Sequence, residues 1–144
     1  MNDDDTALCA ATAHLLEATA VLAAWGISLA VAATVLLVFA GSALSPAAKA
    51  AMACAALAGT VERYLAFRIR LDAGLFKGLA AKTIPSLAAL DRVLACLKLR
   101  RQSGASRRLD ERLEGARRLI QQHAAVIALQ TLCFLLAASV QHLA

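Results

Sequence analysis

The chain has 144 residues, 60% of them hydrophobic and only 17% charged, where an ordinary soluble domain has roughly 45–50% apolar and about 25% charged residues. That balance, with a mean hydropathy of +0.66, excludes a conventional water-soluble globule, and the length excludes a large enzyme core. The formal net charge of +5 is unevenly spread: residues 1–48 carry Asp3, Asp4, Asp5 and Glu17 and no Lys or Arg, whereas residues 62–123 hold fourteen Lys or Arg against six carboxylates, a net +8.

Residues 1–17 form an acidic N-terminal segment. They lack the positively charged start of a secretory signal, and the apolar run that follows is longer than a signal core, so no signal peptide is expected. From Ala18 to Ala48 there is no charged residue, and the sequence predicts a first span over residues 18–41. Twenty helical residues at about 1.5 Å each cover the ~30 Å hydrocarbon core. Gly41 to Pro46 breaks this run, with Ser45 placed as an N-cap and Pro46 as the first residue of the next helix. The break is short, which predicts that the next helix folds back antiparallel.

A second span is expected over residues 46–64. Its uncharged stretch, Ala50 to Val61, is only twelve residues, so crossing requires Lys49 and Arg63 to snorkel towards opposite edges. Small residues mark its packing face: Ala47, Ala51, Ala55 and Gly59 recur every fourth residue, matched by Gly26, Ala30 and Thr34 on the first span. Such ridges let helices approach closely in lipid.

Residues 62–123 read as a basic helical region, and Lys and Arg beside a span are retained on the cytoplasmic side. Leu65, Ile69, Leu75, Phe76 and Leu79 share one face, and Thr83 to Ser86 ends that helix. A second stripe, Leu87, Leu90, Val93, Leu94 and Leu97, is expected to pair with Leu109, Leu113 and Ile120 across a turn at Gln102 to Ala105. The resulting helical hairpin carries Arg100, Arg101, Arg107 and Arg108 at its tip. The periodicity Leu109, Leu113, Ala116, Ile120, Ala124, Ile127 then runs into a third span over residues 124–141, where Gln130 and Thr131 are placed to hydrogen-bond across helices.

These elements predict an all-α integral membrane protein with three transmembrane helices and a basic cytoplasmic helical hairpin, residues 1–144 forming one membrane domain. The N-terminus is expected in the cytoplasm and the C-terminus outside an inner membrane.

Chemistry-bearing constellations are sparse. Tyr64, Arg68 and Asp72 stack at i, i+4 and i+8 and offer a contact for a partner or a lipid headgroup, as does the arginine tip. Cys9, Cys54, Cys96 and Cys133 are scattered, with no histidine at metal-ligand spacing, and read as small apolar residues. His14 and His123 each precede a span and read as interfacial residues. No catalytic, cofactor or metal site is expected, and the basic run lacks the aromatics and motifs of a nucleic-acid binder. The expected role is that of a non-catalytic accessory or scaffold subunit. Its partners would be other membrane-protein subunits, anionic lipid headgroups or further copies of itself; the alternative is a small oligomeric channel or transporter component.

Overall fold

The computed structural model describes residues 3–86, 88, 89, 96 and 109–143, and among them every regular element is an α-helix. In chain order these are α1 (Asp3–Ala18), α2 (Ala20–Phe39), α3 (Pro46–Ala80) and α4 (Leu109–Leu143). The first arm of the expected hairpin, apart from Ala88, Ala89 and Cys96, together with its turn and its tip arginines Arg100, Arg101, Arg107 and Arg108, lies outside the described residues.

Two helices rather than the expected three are long and apolar enough to cross a membrane among the described residues: Asp3–Phe39, which covers the predicted first span as far as Phe39, and Leu109–His142, which contains the predicted third. The predicted second span is not one of them. Pro46 does start a 35-residue helix, but Lys49 on one side and Glu62 and Arg63 on the other confine its uncharged run. Half of that run is alanine, too small a side chain to make twelve residues behave as a span. In both apolar helices only 22% of the most apolar stretch is buried within the chain.

The chain forms two compact units, the first of residues 1–18 and 68–119, the second of residues 19–67 and 120–144. In the first, Cys9, Ala13 and Leu16 of α1, Ile69, Ala73, Phe76 and Leu79 of α3, and Ala116 and Leu119 of α4 are buried. Their spacing of three or four residues is that of one apolar face per helix. Glu17 and Lys77 add an ion pair at 3.1 Å. At the end of α3, Lys82 takes a left-handed φ of 57° and the amide of Ile84 returns to the carbonyl of Gly78 at 3.1 Å, which satisfies carbonyls that the helix leaves open.

In the second unit α2, the first part of α3 and the last part of α4 pack side by side. Ser45 caps α3, its Oγ accepting from the amide of Ala48 at 3.3 Å. Gln141 clasps the α2–α3 turn, accepting from the Ser45 amide at 2.8 Å and donating to the Ala43 carbonyl at 3.2 Å. Below this clasp lies an apolar cluster of Ala33, Ala48, Met52, Ala55 and Ala137. Most of the large apolar side chains point the other way: Trp25, Val31, Phe39, Leu57, Leu132 and Leu135 are all exposed.

Candidate functional site

The buried face of α3 continues Met52, Ala55 and Gly59 by one more turn to Glu62, a step of three residues that keeps it on the inside. Glu62 is fully buried, and so are His123 and Gln130 of α4. A buried carboxylate requires partners, and it has two. Arg63 donates Nε to one carboxylate oxygen at 2.6 Å and Nη2 to the other at 2.7 Å, while Nε2 of His123 lies 2.9 Å from Oε1. Because the guanidinium engages both oxygens as acceptors, the imidazole Nε2 donates to the carboxylate. Nη2 of Arg63 also donates to the carbonyl of Ala23, tying α2 into the same cluster.

The charges differ in access. The carboxylate is sealed, whereas 40% of the Arg63 side chain is exposed, so the cation lies at the edge of the bundle with its counter-ion inside. Gly26 makes room for the arrangement: a Cβ there would stand 2.9 Å from Cδ of Glu62. Two turns further along α4, Nε2 of Gln130 donates to the carbonyl of Gly26 at 2.9 Å. Thr131 accepts from Nε1 of Trp25 at 3.2 Å. Two buried atoms of the site, Nδ1 of His123 and Oε1 of Gln130, have no hydrogen-bond partner. Such atoms hold unused binding capacity in an interior that satisfies nearly all its polar groups.

Beside the site, an open surface groove of about 400 Å³ runs along the α2–α3 contact, its walls including Ala30, Thr34, Gly59 and Arg63. At Gly59 a Cβ would fall 2.5 Å from that of Ala30 and 3.2 Å from Nε2 of Gln130. The close approach of the two helices therefore depends on that glycine.

The residues singled out in the sequence are placed as follows. Tyr64 and Arg68 are exposed and Asp72 is half-buried. Burial pushes the Asp72 carboxyl above its ordinary range, and Arg68 and Arg112 pull it partly back. Of the small-residue ridge, Ala55, Gly59 and Gly26 are buried, Ala51 and Ala30 half-buried, and Ala47 and Thr34 exposed. His14 is exposed and 3.6 Å from Glu17, whereas His123, expected at the interface, is inside the bundle. Glu62 and Arg63 look in the sequence like part of a solvated basic region; the signal that finds them is the continuation of the Ala55 and Gly59 face. On α4 the buried face is Ala116, Leu119, His123, Ile127 and Gln130, a rotation away from the predicted stripe, in which Ala124 is exposed. Among the described residues no group of three or more His, Cys, Asp or Glu could hold a metal ion.

Comparison of the chain with protein-family models, with curated proteins and with solved structures finds no match.

Proposed function

We propose that the chain is a small multi-pass membrane protein without catalytic activity of its own, an accessory or scaffold subunit of a larger complex in an inner membrane. The observation that carries this reading is the inverted burial of the second unit. Most of its large apolar residues face outward, Leu29, Leu65 and Ile127 being turned in, while Glu62, His123 and Gln130 lie inside. In water such a surface would drive aggregation. In lipid it is the favourable arrangement, since hydrocarbon solvates leucine and phenylalanine and excludes carboxylates and amides.

In this reading α2 and the last part of α4 span the bilayer, and the first part of α3 accompanies them with its Glu62 carboxylate turned towards protein. The charge asymmetry supports an orientation with the Glu62 end and residues 68–119 cytoplasmic, and the α2–α3 turn outside beside Gln141. Beyond Gln130 the interior is closed by alanine and Met52, which favours a scaffold over a conduit. A second reading, a channel or transporter component, is favoured by the buried Glu62 and His123, because ionisable groups inside membranes usually mark pathways. Mild-detergent extraction from native membranes, with liposome flux measured on the purified chain, separates the two. A complex of fixed stoichiometry and tight liposomes are expected; a homo-oligomer that conducts, and stops conducting as Glu62→Gln, would overturn the scaffold reading.

A further inference from the structure

Cys54 of α3 and Cys133 of α4 read in the sequence as unrelated thiols, but the fold brings them to the same level of the bundle: Cys133 packs against the cluster to which Met52 and Ala55, on either side of Cys54, belong. The register of the helices explains why. Ser45 meets Gln141 at the clasp and Glu62 meets His123 at the polar site. In an antiparallel pair fixed at those two points, Cys54 and Cys133 fall opposite each other between them. The neighbouring contacts are alanines, Ala55 and Ala137 being almost completely buried, and Cys133 packs against the cluster that holds Met52 and Ala55. Alanine at a helix crossing permits the short backbone separation that a disulfide needs, a Cα–Cα distance of about 4.4–6.8 Å.

We propose that Cys54 and Cys133 form a dithiol–disulfide site that covalently joins α3 to α4 when oxidised. Both thiols are free in this structure, Cys54 being exposed and Cys133 half-buried, so the exposed sulfur is the point of entry. The oxidant is a disulfide with apolar substituents, able to reach a lipid-facing position. The Cys54 thiolate attacks one sulfur of the oxidant, forming a mixed disulfide and expelling the first thiolate. The Cys133 thiolate then attacks the Cys54 sulfur and expels the second. Two protein thiols and one small disulfide become one protein disulfide and two small thiols, the two thiol protons passing to the leaving groups. Closure turns a contact that helix motion can open into a permanent tie, placed between the polar site at Glu62 and the clasp at Gln141.

The test uses the full chain carrying Cys9→Ala and Cys96→Ala, in lipid vesicles at mildly alkaline pH, with dipyridyl disulfide as the probe. Release of two pyridinethiones per chain, with a protein mass lower by two hydrogens and restored by dithiothreitol, is expected. Further replacement of Cys133→Ala should instead give a stable pyridyl adduct at Cys54. A chain that gains two pyridyl adducts, or that cross-links to a second copy rather than to itself, would overturn the proposal. Peptide mapping of the oxidised unsubstituted chain decides the matter if the alanine background misfolds: a linked peptide containing residues 54 and 133 is expected, and its absence overturns the pair.

Discussion

At the scale of single residues, Glu62 carries the most consequence, because three hydrogen bonds from two helices converge on one sealed carboxylate. Its removal leaves two partners in unequal positions. Arg63 is partly exposed and can turn to solvent or headgroups, whereas His123 is enclosed and loses the acceptor for its Nε2. Glu62→Ala should therefore destabilise the bundle by about 2–4 kcal/mol, towards the lower end for a buried pair because Arg63 has an escape. Thermal melting in detergent measures it. A double-mutant cycle with Glu62→Gln and His123→Gln should give a coupling of about 1–3 kcal/mol, and additive effects would mean that the two side chains act separately. Asp72 behaves differently. Burial raises its carboxyl above the ordinary range against the pull of Arg68 and Arg112, so the folded chain binds that proton more tightly than the unfolded one. The stabilisation from the bound proton is present below the unfolded value and lost as pH rises through the folded value. Asp72→Asn should accordingly slow hydrogen exchange in residues 68–80 at neutral pH, and the advantage over the unsubstituted chain should disappear when both are measured below the carboxylate range.

At the scale of helices, the interface of α2 with α3 is set by what is missing from it. A methyl group at position 59 would meet the methyl of Ala30 at 2.5 Å, and neither backbone can yield without separating the helices. Gly59→Leu and Ala55→Leu should each lower the melting temperature well below that of Val38→Ala, a control at a position 70% exposed, with losses of about 1–3 kcal/mol for overpacking. Equal melting temperatures for the three would mean that the small residues are incidental.

Much of this level is legible in the sequence. The break at Gly41 to Pro46, the Ser45 cap and the apolar run of α2 are local signals, set by backbone preference and by an unbroken stretch of uncharged side chains. What is not legible depends on two helices at once. Small residues at positions 55 and 59 announce a close neighbour without naming the side chain that fills the notch, so Glu62 looks like one charge among many in a basic segment. The face of α4 differs from the predicted stripe because alanine, being neither strongly apolar nor polar, leaves the helical phase weakly defined until His123 and Gln130 are known to point inward.

For the whole molecule, the proposed orientation makes an asymmetric labelling pattern the expected outcome. In a chain with its native cysteines replaced, single cysteines at positions 4 and 82 should react with an impermeant maleimide only after the membrane is opened from the cytoplasmic side, and one at position 42 should react from outside. Outside labelling at position 4 together with position 42 would mean that α2 does not cross. The alanine lining of the second unit also bears on how uniquely the bundle assembles. Ala23, Ala33, Ala48, Ala55 and Ala137 are all buried, and a methyl group freezes no rotamers on association. A surface of methyl groups repeated turn after turn is nearly self-similar, so one helix shifted along another by a turn would still find methyl against methyl and lose little contact. The polar pairs are not self-similar: after such a slip Glu62 would face Leu119 or Ile127 in place of His123, and Gln141 would miss the turn it clasps. Alanine thus supplies a close but slippery seam, and a handful of hydrogen-bonding side chains acts as the teeth that permit a single alignment.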